Sequence, residues 1–343
     1  MHNLRISTLF LTLLMSTVAV AQPRSITKIV DKSSISQESE EKIKKYAAGW
    51  AEQLQTTDAE SLERAHSKLV DPFEPNVRMT PYARSLYGKY LEEGFEPLLN
   101  QDSNSEMAAV NALQILSLLG TEQACGVLFK HADMTREDRS ALRLWASVGL
   151  GTSFLTGELP TNRIKRYANV LAGPDYIGKE QEWFVLARQF DSLASLQSIP
   201  NIDNRQRDAL ESLSFELQTK ALVNLLDSIN ASKDADERVQ SLPLILPSLL
   251  LQLIEPSVDE EIKSKTLDTI VPPLITFVEY AVKQNSIDEN EFLHNSYGCA
   301  AHSASLLIIR AVGSGGDMRV LDLWNNADYP EILELVETWK AKQ

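Results

Sequence analysis

Residues Ala124 to Gly149 read ACGVLFKHADMTREDRSALRLWASVG. Two apolar runs flank a polar segment from His131 to Arg139. The spacing of the apolar residues suits the end of one helix, a turn, and the opening of the next. Ala141 and Ala146 are small enough to let the second helix approach its neighbours closely.

The stretch belongs to a repeating pattern. When Gly120 is aligned with Gly313, Leu113 matches Leu306, Ile115 matches Ile308, and Ala108 matches Ala301. Leu119 falls on Val312, and Val127-Leu128 fall on Val320-Leu321. The shared unit is a helix, a glycine that closes it in a left-handed conformation, and a second short helix. Stacked copies would bury the apolar faces. A weaker third copy ends at Gly151, about 31 residues after Gly120, a spacing that suits helical repeats.

Outward from this centre the pattern is helical throughout. Ile43, Tyr46, Ala47, Trp50, Ala51 and Leu54 form one apolar stripe. Thr80-Pro81 reads as an N-cap followed by proline at the first helical position. Further helices are expected over 105–119, 122–131, 137–150, 163–172, 179–198, 205–229, 235–254, 259–283, 297–312, 317–324 and 330–342. The prolines at 243, 247, 272 and 273 should kink or restart their helices. Trp145, Trp183 and Trp339 fall in apolar stripes and read as core.

The 124–149 stretch resembles the junction between HEAT-like repeats. Asp133 and, six residues on, Arg139 match the turn aspartate and helix arginine of that pattern. In the family this pair knits neighbouring repeats together. Gly149 comes late for the pattern, Asp328 is followed by Glu334 rather than arginine, and 173–290 carries no recognisable copy. The resemblance implies an all-α fold, a right-handed α-α superhelix of antiparallel hairpins that could curl on itself, with scaffold or protein-binding duty.

The chain has 343 residues, with 33 basic and 47 acidic side chains and a formal net charge of -14. This balance argues against nucleic-acid binding, which needs a basic face. The first 21 residues read as a signal peptide: Arg5, an apolar run to Val20, and the small-residue site Ala19-Val20-Ala21. Residues 22–36 read as a flexible leader, and 37–343 as one continuous repeat domain with a possible sub-boundary near 71–79. The expected compartment is periplasmic or extracellular, with no membrane insertion after cleavage.

Catalytic signatures are sparse. His294, Tyr297 and His302 form the one local cluster of catalytic residue types, and two histidines on one helix could build an acid–base pair or a metal site. Capping of the helix by Asn295 or Ser296 is the plainer account. Asp234-Ala235-Asp236-Glu237 could offer oxygen ligands to calcium, but lacks the loop spacing and reads better as helix capping. Gly313-Ser314-Gly315-Gly316 reads as a repeat turn rather than a phosphate loop. His66 and His131 have no motif context. Cys125 and Cys299 read as small packing residues, a disulfide between them requiring the array to curl back. No cofactor is expected. The leading expectation is a non-catalytic scaffold with a protein partner, and the alternative is an α/α-toroid enzyme acting on a carbohydrate or another small molecule.

Overall fold

The computed structural model describes residues 25–56, 58–100, 105–284, 290–313 and 319–343. Among them are fifteen α-helices, three short 3-10 segments and no strand. The first helices are α1 (Thr27–Val30), α2 (Gln37–Gln53), α3 (Ala59–Val70) and α4 (Pro81–Leu99). There follow α5 (Glu106–Ser117), α6 (Glu122–Ala132), α7 (Ser140–Leu155), α8 (Thr161–Leu171), α9 (Trp183–Ala194) and α10 (Asn204–Asn230). The chain closes with α11 (Leu242–Ile254), α12 (Glu260–Gln284), α13 (Glu291–Val312), α14 (Val320–Asn325) and α15 (Tyr329–Lys340).

From α5 onward, helices alternate between two rows. One row packs α5 on α7, α7 on α9, and α9 through the 3-10 segment Glu237–Ser241 and α11 onto α13. The other places α10 between α8 and α12, and α15 against α12. Across the rows, α6 packs on α7 and α12 on α13. The buried apolar residues form one connected core from Ile26 to Trp339. This is the hairpin stacking expected when each hairpin cannot bury its face alone.

Helix α7 shows why the row closes tightly. Ser147 and Gly151 lie on one side, where the Ser192 hydroxyl of α9 donates to the Ser147 carbonyl at 2.6 Å. A Cβ at Gly151 would lie 2.9 Å from Ser192 Oγ. Gly149 and Ser153 lie on the opposite side, where Ser153 Oγ donates to the Ser117 carbonyl at 3.0 Å. A Cβ at Gly149 would lie 2.8 Å from Leu128 Cδ2. Small residues two apart on a helix face opposite ways, so α7 admits a close neighbour on each side.

Thr80 and Pro81 start α4 as expected, with the Thr80 hydroxyl accepting from the Ala83 amide at 3.3 Å. Gly120 and Gly313 both adopt left-handed backbone, with φ of 57° and 61°. The third copy is different. Gly151 is inside α7, and the left-handed residue beyond that helix is Gly157, with φ 71°.

Other expectations are corrected. The stretch read as a leader is structured from Ser25 on: Ile26 and Val30 are buried, and the Val30 carbonyl accepts from the Thr80 amide at 2.9 Å. At the expected sub-boundary, Asp71–Phe73 is a 3-10 turn whose Phe73 packs on Tyr87, so the core passes through it. Pro272 and Pro273 do not restart α12. The carbonyls they deprive of a donor belong to Asp268 and Thr269, both exposed, where water can satisfy them. Trp339 is core, but Trp145 and Trp183 are only partly buried. Residues 1–21, read above as a signal peptide, and Ser314 to Gly316 lie outside the described residues.

Candidate functional site

A charged cleft lies where α4 ends beside α6. A cleft of about 680 Å³ is walled by Glu92, Glu93 and Glu96 on α4, and by Lys130 and His131 on α6. Leu99 and Val127 supply an apolar lining, and the turn after α6 adds Arg136 and Glu137. Glu92, Glu93 and Glu96 sit at spacings of one, three and four residues, so the last turns of α4 gather their carboxylates at this wall. Burial raises the Glu92 carboxyl above its ordinary range, and its Oε1 is buried without a hydrogen-bond partner.

Behind the cleft is a buried charge network. His131 is 4% exposed and Glu137 1%. His131 Nδ1 lies 2.7 Å from Glu137 Oε2, which leaves Nε2 as the ring's second polar atom. The other side of Glu137 meets Arg139, with Nε donating at 2.7 Å and Nη2 at 2.8 Å. Burial alone would raise the Glu137 carboxyl, but hydrogen bonds from Arg139 and His131 outweigh it and hold it at about 2. Arg139 also donates to the carbonyls of Leu99 and Asn100, which end α4. A guanidinium there satisfies orphan carbonyls and complements the helix dipole.

One turn further into α7, Arg143 donates to both oxygens of Glu180 at 2.9 and 3.1 Å. Its Nη1 reaches the carbonyls of Glu137 and Asp138, each at 3.0 Å. The junction is therefore fastened from α4, through the turn, to the segment before α9. Asp133 serves the same turn locally, accepting from the Thr135 amide and hydroxyl at 2.9 and 2.7 Å. The Asp133–Arg139 pair of the repeat pattern thus acts as two separate clamps, with Glu137 as the direct partner of Arg139.

The His294 cluster is put to other use. Trp324 is 1% exposed, and its Nε1 donates to His294 Nε2 at 3.1 Å. An accepting Nε2 places the proton of the neutral ring on Nδ1. A Cβ at Gly298 would stand 2.5 Å from Trp324 Cδ1, so His294 and Gly298 together form a seat for the indole. Tyr297 is buried, and its hydroxyl accepts from the Asp236 amide at 3.0 Å. His302 Nδ1 is buried without a partner. His294 Nε2 and the Tyr297 hydroxyl therefore help to pack α14 and the Asp236 turn against α13.

Asp236 caps the 3-10 segment, accepting from the Arg238 amide at 3.0 Å, and its carboxylate pairs with the Arg238 side chain. No group of three His, Cys, Asp or Glu side chains poised for a metal occurs among the described residues. Cys125 and Cys299 are both free thiols. Cys125 is buried as expected, whereas Cys299 is exposed on α13 and is not a packing residue.

His131, Glu137, Arg143, Glu180 and the α4 glutamates were not singled out by sequence. The available signal was the density of ionisable residues in His131–Arg139. No protein-family model, curated protein or solved structure matches the chain. The fold and site define an all-helical protein of closely packed neighbouring helices, with a buried charge network at the turn between α6 and α7.

Proposed function

We propose that this chain is a non-catalytic helical-repeat scaffold, a right-handed α-α superhelix of the HEAT-like kind. In this reading it is exported to the periplasm or the exterior, with a basic segment of a protein partner binding between α4 and α6. The single observation behind the reading is the acidic cleft itself. Glu92, Glu93 and Glu96 face an apolar strip of Leu99 and Val127, and the wall is braced by the His131–Glu137–Arg139 network. A lysine or arginine side chain matches both features, laying its stem on apolar surface and its charge on the carboxylates. The net charge of -14 would also steer a basic partner toward the protein. No helix among the described residues is long and apolar enough to cross a membrane.

The test is binding of a fluorescent ten-residue lysine peptide by anisotropy, with a ten-residue glutamate peptide as control. Saturable, salt-sensitive binding of the lysine peptide is expected, with at least a tenfold loss in the Glu92→Gln, Glu93→Gln, Glu96→Gln variant. Equal affinity of that variant would overturn the reading.

A second reading, the toroid enzyme, keeps one specific observation. A histidine oriented by a buried carboxylate on a cleft wall is the arrangement of a general base. Hydrolysis of a glycoside or ester panel that is abolished by His131→Gln would favour it over the scaffold.

A further inference from the structure

A second groove, remote in sequence from the acidic cleft, runs between α10 and α12. Its walls are single helical stripes. Ser212, Phe215, Glu216, Thr219, Lys220 and Val223 come from α10 at spacings of three, four, seven, eight and eleven residues. Ile262, Lys265, Thr266 and Thr269 come from α12 at three, four and seven. Those spacings put each set on one helix face.

The chemistry along the groove is asymmetric. Phe215 is fully buried and forms the apolar base with Val223 and Ile262. Above it stand the exposed ammonium-bearing Lys220 and Lys265 and the Asn224 amide, with one carboxylate, Glu216. Within the groove two cations face one carboxylate, while Lys265 also borders a neighbouring hollow lined by Asp208, Glu211, Asp259 and Glu261.

Thr219 supplies an independent observation. It is 8% exposed and lines the groove, yet its hydroxyl has no hydrogen-bond partner. Thr269, one stripe away, spends its own hydroxyl on the Lys265 carbonyl at 2.7 Å. A valine of the same shape would fill the Thr219 position without leaving a polar atom unpaired, so the hydroxyl there is a donor in want of an acceptor.

We infer that the α10–α12 groove binds a small amphipathic carboxylate, an apolar chain or ring bearing one anionic head. The apolar body lies on Phe215, Val223 and Ile262, the head takes Lys220 and Lys265, and the Thr219 hydroxyl, buried as it stands, turns outward to meet it. The groove volume, about 350 Å³, lies at the small end of the roughly 300–1,000 Å³ typical of small-molecule sites. Small-molecule sites are characteristically apolar with a few placed polar groups, and this groove has that composition.

Isothermal titration calorimetry of the full chain with decanoate tests the assignment, with acetate and decyltrimethylammonium as head-only and opposite-sign controls. Saturable one-to-one binding of decanoate alone is expected. Lys220→Ala with Lys265→Ala should weaken it at least tenfold, since both side chains are exposed and dispensable to the core. Thr219→Val should weaken it severalfold while leaving the melting temperature equal or higher, an outcome that a packing role for Thr219 does not give. Absence of saturation, equal binding of decyltrimethylammonium, or unchanged affinity in both variants would overturn it. The acidic cleft between α4 and α6 is a separate site, so either result leaves its reading standing.

Discussion

Arg143 and Glu180 form a two-pronged ion pair inside the protein, with side chains 7% and 1% exposed. Neither charge has water to fall back on. Removing one partner strands the other, a loss of about 3–5 kcal/mol for a buried pair. Arg143→Met should therefore lower unfolding stability by about that much. Arg143→Met combined with Glu180→Gln should recover part of it, because the stranded carboxylate is gone. Urea denaturation of the two single variants and the double variant measures this coupling.

The two aligned glycines should respond differently to alanine. Both are left-handed, which costs a non-glycine residue about 1–2 kcal/mol. At Gly313 a Cβ meets nothing within 4 Å, so Gly313→Ala should cost about that alone. At Gly120 the new Cβ would fall 2.0 Å from Thr156 Oγ1. Overpacking then adds about 1–3 kcal/mol. Chemical denaturation of both variants should rank Gly120→Ala as clearly the worse.

Glu137 should make the protein acid-sensitive over a defined window. Its folded-state carboxyl, held at about 2, lies below the roughly 4.3 of an unfolded glutamate. A depressed carboxyl stabilises the fold above the unfolded value and loses that contribution as pH falls from about 4.3 toward 2. The full contribution is on the order of 3 kcal/mol. Urea midpoints at steps between pH 6 and pH 2.5 should fall less steeply in Glu137→Gln than in the parent.

The cysteines should separate cleanly by reactivity. Burial pushes the Cys125 thiol up to about 12, which leaves little thiolate at neutral pH. Cys299 is exposed. Maleimide treatment of the native protein at pH 7, read by intact mass, should add one label at Cys299. Two labels are expected in denaturant. Two rapid labels under native conditions would contradict the burial of Cys125.

Much of the fold was legible because helices announce themselves locally. Apolar spacing, Thr80-Pro81 and the left-handed glycines at 120 and 313 are properties of a few neighbouring residues. The same local signals misplaced Gly151, since a glycine inside a helix and one after it look alike until the neighbouring helix is present. Nor do they tell a restart from the single continuous α12 that contains Pro272 and Pro273, where the deprived carbonyls of Asp268 and Thr269 are exposed.

The candidate sites were hidden for the same reason. Glu92 and His131 are far apart in sequence and meet only because α4 packs beside α6. Arg143 finds Glu180 across the whole of α8. His294 and Tyr297, close in sequence and chemically suggestive, were claimed by Trp324 and the Asp236 amide.

By itself, then, the sequence determined the helical class, most helix positions and the acidic balance, because each follows from residues within a turn or two of one another. The tertiary structure decided which charges are buried, which polar atoms are left unpaired, and which helix faces form grooves. Those properties depend on which distant helix supplies the second wall, and local spacing does not contain that information.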